Sequence, residues 1–454
     1  VHLSTLEERD GGDRRVRPRL TLPSATSDHG FPTVSFFYQP AVESGLRAVL
    51  EARENVDLVL GSEVLDVRAS SGDASLIEVV RTAVDGPEQV IMTARYVVVA
   101  DGGSSTARGA LGIGLSGMSW AEERWLVADL VDVPESVRRG AGELDALNRG
   151  FHFLCAPSRP GVHLPLPFDH IRAEFALNAG EIEAFRAGEL DFLRGALSER
   201  GLDFGSAQEL ETCVVRSAVY TYHARTADRF TALGGRVALV GDAAHMLPPF
   251  GGQGLVSGLR DAACVASKIW LALAHHGSPE IVAQYEAERR PHVWAAMWYA
   301  RIMSAAVATS WRAFVALRNM VLAGLNAAPE WVVRKLRFVP RVGLAVGDTV
   351  PVFDAQSSWS SDVAGFAVVC AAEQADSRLP AECPQLAIET TWLVVGERGR
   401  RRSGEPQWAL HLEVASEAGL TAAAALRDFD AAPLVVVRPD RVVAARVSGW
   451  EDVP

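Results

Sequence analysis

Apolar residues in this chain fall into short continuous runs, alternating stretches and helical repeats. The continuous run at residues 237–240 predicts a short buried strand, and the repeat over residues 255–274 predicts a long helix. A glycine-rich bend joins the two. A strand, a glycine bend and a helix in this order expose backbone N–H groups to an anionic or polar ligand, as α/β folds do. The pattern therefore predicts a ligand site at this bend.

The remaining apolar patterns predict further segments of an α/β chain. Helical spacing predicts helices over residues 41–50, near 181–199 and, in a region rich in Trp and Met, over 293–336. Strands are predicted at residues 64–67, 76–84, 90–93, 96–100, 125–131, 150–155, 161–165, 172–177 and 212–222. A separate set of late strands is predicted at residues 366–370, 392–395, 409–414, 434–437 and 442–447.

Composition is that of a folded protein and excludes several partners. Of the 454 residues, 48% are hydrophobic and 22% are charged, which is ordinary for a soluble domain. The net charge of −12 argues against nucleic acid, whose phosphates require clustered cations. The most apolar region, residues 292–333, is interrupted by arginines, so no membrane span is expected.

The five cysteines predict neither a metal site nor a disulfide framework. They are scattered, with no Cys-x-x-Cys pair and no His/Cys ligand spacing. We expect buried free thiols in a reducing cytoplasm and no signal peptide at the start of the chain.

The bend between the predicted strand and helix carries a recognisable string of residues. It reads Gly241-Asp242-Ala243-Ala244-His245, followed by Pro248, Gly251, Gly252, Gln253, Gly254 and Asp261. This string resembles the Gly-Asp motif of the flavoprotein aromatic hydroxylases, the p-hydroxybenzoate hydroxylase family. The resemblance implies that Asp242 holds the ribityl chain of FAD, and that the turn from Pro248 to Gly254 lies beside the isoalloxazine ring. Leu255, which follows the turn, is also expected to bind the cofactor. Val256 stands where the family often has Asn, so one amide contact to the ring is missing or replaced.

A second motif follows the predicted strand at residues 96–100. Asp101, Gly102, Ser105 and Arg108 match the family's Asp-Gly-x-x-Ser-x-x-Arg pattern, although Asp-Gly after a strand is by itself mostly a turn. The resemblance implies that this segment supports the FAD pyrophosphate and affects use of the nicotinamide cofactor. Arg108 is then a brace between motifs or a phosphate partner. Gln39 would hydrogen-bond the ribityl or pyrophosphate region, or is a solvated residue at a helix start.

One predicted strand carries the candidate substrate residues. Arg216, Tyr220 and Tyr222 alternate, so they share one face of the strand at residues 212–222. The segment resembles the 3-(3-hydroxyphenyl)propionate hydroxylase branch of the family. Arg216 would bind a carboxylate, and Tyr220 or Tyr222 would polarise a phenol. Core tyrosines and a solvated arginine remain an equal alternative, and His245 is expected to be structural or to lie near the flavin.

The first thirty residues depart from the family pattern. They are polar, and they carry no strand followed by Gly-x-Gly-x-x-Gly, the fingerprint that takes the FAD pyrophosphate in this family. Either the natural protein has a further N-terminal segment, which we favour, or the adenine-binding half has been lost. The second alternative leaves open a chain that cannot hold FAD and acts as a binding or interaction protein.

The resemblance implies a domain order for the whole chain. An incomplete Rossmann-like FAD domain of the glutathione-reductase type would span residues 1–117 and 226–354, with a substrate-binding antiparallel sheet at 118–225. Residues 362–454 resemble the family's thioredoxin-like C-terminal domain, without Cys-x-x-Cys, and would serve stability or oligomerisation. The helices at 293–336 would pack on the FAD domain or at a homodimer interface, with Trp294, Trp298 and Trp311 expected in the core.

The resemblance also implies the activity. We expect an FAD-dependent monooxygenase that uses NADPH or NADH and O₂ to hydroxylate a phenolic or aromatic polyketide-like substrate, through a flavin C4a-hydroperoxide. An epoxidase on the same fold remains an alternative. The substrate itself is not readable from fold-level analogy.

Overall fold

The computed structural model describes residues 2–8, 14–21, 34–138, 150–274, 278–309 and 311–328, together with five strands between residues 366 and 447. The helices are α1 Gln39–Glu51, α2 Thr106–Ala110, α3 Ala179–Ala187, α4 Glu189–Ser198, α5 Ala207–Cys213, α6 Gln253–Ala274, α7 Glu280–Ala308 and α8 Arg312–Asn326. The strands of the first part are β1 His2–Glu8, β2 Arg14–Thr21, β3 Val64–Ala69, β4 Ile77–Ala83, β5 Gly86–Ala94, β6 Val97–Val99 and β7 Leu115–Val131. The strands that follow are β8 His152–Leu154, β9 Gly161–Leu166, β10 His170–Leu177, β11 Val214–Ala227, β12 Thr231–Ala232, β13 Val237–Leu239 and β14 His245–Met246. The late strands are β15 Phe366–Ala371, β16 Thr390–Gly396, β17 Leu410–Glu413, β18 Leu434–Val437 and β19 Val443–Val447.

An eight-stranded sheet forms the largest unit, in the order β14-β11-β7-β10-β9-β8-β1-β2. Its central strands pair antiparallel, and only the β1–β8 pair is parallel within it. One face is covered by α3, α4 and α5, whose apolar residues pack on alternate positions of β7 and β10. The other face packs against α7, α8 and Phe250 of the glycine bend. The sheet therefore has one structural face and one face directed at the bend.

The N-terminal hairpin of β1 and β2 belongs to this large sheet. We assigned residues 1–117 to the FAD domain, but β1 pairs with β8, and the Cys155 amide donates to the Ser4 carbonyl oxygen at 2.7 Å. The Ser4 hydroxyl also lies 3.0 Å from Nδ1 of His152. Sequence did not predict these strands because the segment is polar and its partner strand lies about 150 residues further along.

A second core surrounds the glycine bend. A three-stranded sheet in the order β12-β13-β6 has β6 and β13 parallel, and β13 is completely buried. α6 and α7 pack against it through Cys264, Val265, Val282, Tyr285 and Val293. A third sheet, β3-β4-β5, adds Val67 and Ile77 to the same core. The predicted strand, bend and long helix are confirmed here.

Two expectations about local structure are wrong. The predicted helix at 181–199 is two helices, because the chain breaks at Gly188, which ends α3 and begins α4. Trp294 and Trp298 are exposed by 47% and 56%, since α7 buries the opposite side, through Val293, Ala296, Met297 and Ala300. Trp311, which directly precedes α8, is exposed by 72%.

The five late strands form a sheet of their own in the order β17-β16-β15-β18-β19. Neighbours β15, β16 and β17 run parallel, while β18 runs antiparallel to β15 and β19 antiparallel to β18. Within the part of the chain that the structure describes, no helix combines the length and apolarity needed to cross a bilayer.

Candidate functional site

The glycine bend lies close against α6. β13 ends in a single 3₁₀ turn, Gly241–Ala243, in which Gly241 has a φ of +56°. A side chain added at Gly258 would place its Cβ 3.4 Å from the Cα of Gly241, so the two backbones approach closely. Glycine at both positions permits the contact, and at Gly241 it also permits the left-handed backbone.

The buried carboxylate of Asp261 fixes the bend through hydrogen bonds. Asp261 is fully buried; its Oδ2 accepts from the Gly241 amide at 3.1 Å and lies 2.5 Å from Nε2 of His245. Its Oδ1 accepts from Nε of Arg289 at 2.9 Å. Burial opposes ionisation of Asp261, but His245 and Arg289 outweigh it and keep its pKa below the ordinary value. His245 is thus structural, one of the two roles expected for it.

Asp242 points away from this network. It is exposed, and it accepts no hydrogen bond from the described residues, in contrast to Asp261. An exposed carboxylate at the end of a strand and without a protein donor is available to a polyol hydroxyl. The geometry at Asp242 therefore fits the ribityl role that the resemblance implies.

The turn from Pro248 to Leu255 leaves open space beside its glycines. Gly251 and Gly252 have φ values of +87° and +64°, and a Cβ at Gly251 would lie 2.5 Å from the ring of Tyr299. At Gly252 and Gly254 an added Cβ would meet nothing within 4 Å. α6 begins at Gln253, whose side chain donates to the Gly251 carbonyl, and the first N–H groups of a helix lack partners in that helix. The turn thus presents backbone donors beside an open volume, as an electron-rich ring requires.

The second motif is built as a capped turn. The Ala107 amide donates to Oδ2 of Asp101 at 3.0 Å, and the Ser105 hydroxyl oxygen caps α2 by accepting from the Arg108 amide at 2.9 Å. Gly102 has a φ of +80°, with nothing within 4 Å of an added Cβ. Both the turn predicted from the residues and the space for a ligand are present.

Arg108 joins the two motifs. Its guanidinium is buried and donates to the carbonyl oxygen of Ala243 at 3.0 Å and to that of Gly103 at 2.8 Å. Burial lowers its pKa, although the charge of Asp101 opposes this. These contacts correspond to one of the two roles expected for Arg108, a brace between the two motifs.

Gln39 begins α1 on the outside of the helix. Its amide donates to Oε1 of Glu43 at 2.7 Å, one turn further along. Gln39 is therefore a solvated residue at the start of a helix, which was one of the two alternatives. A contact between Gln39 and the cofactor stays a prediction.

The bend meets the large sheet through an aromatic cluster. Phe250 is 1% exposed and its ring centroid lies 5.4 Å from that of Trp125 and 5.6 Å from that of Tyr222, both at edge-on angles. Trp125 belongs to β7 and Tyr222 to β11, on the sheet face that looks towards the bend. An aromatic wall therefore stands next to the open turn.

The three candidate substrate residues on β11 have different surroundings. Arg216 is exposed, at the same level along the sheet as Asp129. Tyr222 is 4% exposed and its hydroxyl lies 3.3 Å from that of Ser304, so it fits the core alternative. Tyr220 is half-buried, and its hydroxyl donates to Oε2 of Glu174 at 2.9 Å.

Sequence reasoning missed the polar pair opposite Tyr220. Glu174 and Arg172 alternate on β10 and face the same side as Tyr220. Arg172 makes a two-pronged pair with Asp129, with Nε and Nη2 lying 2.7 and 2.9 Å from its two oxygens. Burial raises the pKa of Glu174, against the charge of Arg172 and the hydrogen bond from Tyr220. No motif marks these residues; only their alternation on a strand beside β11 would have suggested them.

Comparisons with known proteins agree with this geometry. The family model described as FAD binding domain matches residues 13–300. A 3-(3-hydroxy-phenyl)propionate/3-hydroxycinnamic acid hydroxylase from Burkholderia vietnamiensis is 34% identical over 450 residues, covering 91% of this chain and 76% of the relative. A second, from Burkholderia cenocepacia, is 33% identical over 442 residues and covers the same shares.

Solved structures show the same fold at lower identity. The OxyS anhydrotetracycline hydroxylase of Streptomyces rimosus superposes with a TM-score of 0.63 at 22% identity, over 94% of this chain and 79% of that one. The rebeccamycin biosynthetic enzyme RebC, solved with reduced flavin, superposes with a TM-score of 0.64 at 18% identity, over 100% and 83%. The family match, the two relatives and the bend around Asp242 lead to one conclusion: the chain belongs to the FAD binding domain family and is an FAD-dependent aromatic hydroxylase.

Proposed function

We propose that this protein is a monooxygenase that uses NADPH or NADH and O₂ to hydroxylate a phenolic or aromatic polyketide-like substrate. One observation carries the proposal: Phe250 places the aromatic wall of the large sheet directly against the turn beside Asp242. The relatives named as hydroxylases of hydroxyphenyl acids support a phenolic ring, and the neighbour OxyS, named as an anhydrotetracycline hydroxylase, supports a larger polycyclic one.

In this proposal the bend binds FAD. Asp242 accepts from the ribityl hydroxyls, and the N–H groups at the start of α6 lie beside the isoalloxazine ring and stabilise negative charge on it. Gln39, Asp101 and Gly102 support the pyrophosphate region, while Arg108 acts by holding Gly103 and Ala243 together. When bound, FAD supplies hydride acceptance and oxygen activation.

The substrate ring is proposed to lie beside the contact between the turn and the large sheet. The packed rings of Trp125 and Phe250 support this region from the core, and Tyr220, which is half-buried, provides a hydroxyl within reach of a ring substituent. This enclosure orients the ring and excludes water from the reacting atoms. Arg216 lies four residues, or about 13 Å of strand, from Tyr220, so it would serve a carboxylate at the far end of a long substrate.

The finer domain assignment is part of the proposal. The glycine bend, α6 and the three-stranded sheet would be an incomplete FAD domain of the glutathione-reductase type, and the large sheet the substrate domain. The late strands support a thioredoxin-like C-terminal domain, because the parallel strands β17, β16 and β15 are followed across the sheet by the antiparallel hairpin partners β18 and β19. In that domain a role in stability or homodimer formation is proposed.

The test of the function is turnover with product analysis. The protein loaded with FAD is mixed with NADPH or NADH, O₂ and a panel of phenols and polycyclic phenols, and cofactor oxidation, oxygen uptake and hydroxylated product are measured. We expect at least one phenol to accelerate cofactor oxidation and to yield hydroxylated product in matching amount. Folded, FAD-loaded protein that yields no hydroxylated product across the panel would refute the proposal.

A further inference from the structure

The polar end of the aromatic wall has an unusual charge distribution. Arg172 is engaged by Asp129 through two nitrogens, so that pair is neutral as a unit. Glu174 makes no ion pair with any described residue, and its contact there is the hydrogen bond donated by Tyr220. This end of the aromatic wall therefore contains a carboxyl group whose charge is not compensated by direct contact.

The two groups reach each other across the sheet. Tyr220 on β11 stands opposite Trp125 on β7, while Glu174 stands on β10, on the far side of β7. The 2.9 Å bond between them thus spans the strand that carries the aromatic wall. Trp125 is 1% exposed, whereas Tyr220 and Glu174 are half-buried, so a ring that approaches this face would meet the two polar groups first.

The hydrogen-bonding positions left on Tyr220 and Glu174 are acceptors, so the pair favours a ligand group that can donate. When Tyr220 donates to Glu174, the tyrosine oxygen retains lone pairs and the second oxygen of the carboxylate is also an acceptor. A neutral ring hydroxyl can donate to either. A phenolate or carboxylate cannot, and it would bring a second negative charge next to Glu174 in a site of low dielectric.

We propose that Glu174, acting through Tyr220, makes this end of the pocket a site for a neutral ring hydroxyl and disfavours a phenolate or carboxylate there. This rests on the proposed function for the identity of the ring, and it narrows the substrate class. Tyr220 touches the hydroxyl, and Glu174 is a positioning residue that also sets how much negative charge the site accepts.

Other charged or titratable groups on this face leave the inference in place. From β7 there is Asp129, from β10 His170 and Arg172, from β11 Arg216 and Tyr222, and from α8 Arg318. The charge of Arg172 favours the ionised form of Glu174, but the atoms of Arg172 are bonded to Asp129. Nδ1 of His170 lies 2.8 Å from the Phe168 carbonyl oxygen, Arg318 donates to the carbonyl oxygens of Ala306 and Cys155, and the hydroxyl of Tyr222 is directed to Ser304 of α7. Arg216 is exposed at the far end of the strand and is left as the partner for a distant anion.

If the site disfavours a phenolate, ligand binding should be coupled to proton uptake, which binding experiments can measure. A complex that holds only one negative charge must take up a proton whenever the free ligand is a phenolate and Glu174 is ionised. The affinity of FAD-loaded protein for 4-nitrophenol, measured by calorimetry in buffers of different ionisation enthalpy, should then fall about tenfold per pH unit above the ligand's own pKa. In Glu174→Gln the side chain keeps its shape without the charge, so the phenolate binds without proton uptake and the affinity should stay nearly constant over that range.

Three controls isolate the effect. Tyr220→Phe should weaken binding of the neutral ligand about 5- to 20-fold, the loss of one buried hydrogen bond. Glu78→Gln, a matched change in the separate β3-β4-β5 sheet, should keep the wild-type pH slope. Nitrobenzene, which lacks the hydroxyl, should bind without pH dependence in every variant.

The outcomes separate this inference from the proposed function. Equal pH slopes in wild type and Glu174→Gln, or tighter binding of the phenolate by wild type, would overturn the inference whether or not turnover occurs. A flattened slope in Glu174→Gln together with no hydroxylated product would support the inference and refute the function.

Discussion

The glycine bend and helix α1 are built in opposite ways. The bend rests on the buried Asp261, which is bonded to the buried His245 and to the buried Arg289. Helix α1 has no buried residue, and its apolar Leu46 is 57% exposed. Val98 of β6, which is an edge strand among the described residues, is likewise 45% exposed.

The contrast separates a region whose geometry is fixed by its own buried contacts from a region that lacks such contacts. Around Asp261, burial and hydrogen bonds within the described residues fix the geometry before any ligand arrives, which is the preorganisation that electrostatic stabilisation requires. Along α1 the same amphipathic pattern that predicts a helix finds no core to cover it. We expect mutations to be costly at the bend and nearly silent on α1.

The largest effect is expected for Asp261→Asn. Loss of the charge leaves Arg289 buried without its ionic partner, which should lower the free energy of unfolding by about 3–5 kcal/mol, measured by chemical denaturation at pH 7. Asp66→Asn is the matched control: it breaks an exposed pair with Arg68 and should cost no more than about 1 kcal/mol. Equal costs for the two variants would contradict the preorganised bend.

The Asp261 deficit should also depend on pH. The pKa of Asp261 is lower in the folded protein than its ordinary value of about 3.9. Its ionised form therefore contributes stability above that ordinary value, and this contribution is lost as pH falls through the folded pKa. The difference between wild type and Asp261→Asn should shrink below about pH 4, and a difference that grew there would have the wrong sign.

A middle effect is expected for Arg108→Gln. Glutamine is too short to donate to both Gly103 and Ala243, so at least one carbonyl inside the brace loses its donor, at a cost of about 1–3 kcal/mol. Arg68→Gln, which removes an exposed guanidinium, is the control. The two motifs should also exchange backbone amide hydrogens faster in Arg108→Gln, and unchanged exchange at both would show that Arg108 does not join them.

A smaller pair of opposite effects distinguishes two glycines. Gly251→Ala forces alanine to a φ of +87° and against the Tyr299 ring, so we expect destabilisation of about 1–2 kcal/mol. Gly45→Ala lies inside α1 with open space around it, so helix propensity should stabilise the chain by about 0.5–1 kcal/mol. Melting temperatures of the two variants should therefore move in opposite directions, and shifts of the same sign would break the comparison.

The smallest effect is expected on α1 itself. Leu46→Ala should change the free energy of unfolding by no more than about 0.5 kcal/mol, because Leu46 is largely exposed. Leu239→Ala, in the buried strand β13, should cost about 2–5 kcal/mol under the same conditions. A large cost for Leu46→Ala would mean that α1 is covered after all.

Sequence predicted the bend well because its information is local. The apolar run of β13, the glycines and the helix that follows stand next to one another, and each obeys a short-range rule. The capped turn at Asp101 was predictable for the same reason.

What sequence missed depends on contacts between distant segments. The β1–β2 hairpin is recognised only once β8 is beside it. Glu174 becomes a candidate site residue only through its hydrogen bond with Tyr220, which lies 46 residues away along the chain and on the other side of an intervening strand. Trp298 shows the opposite error. Its large apolar side chain indicates a core position, but the orientation of α7 leaves it exposed.

The most direct test of the central claim is an FAD titration of wild type and Asp242→Ala, followed by flavin fluorescence. The Asp242 carboxylate lies outside the structural network, so the variant should fold as wild type does, as judged by its denaturation midpoint. We predict saturable binding to wild type and about 10- to 100-fold weaker binding to Asp242→Ala, the loss of charged hydrogen bonds to the ribityl chain. Equal affinity of two folded proteins for FAD would contradict the assignment of the cofactor site to this bend.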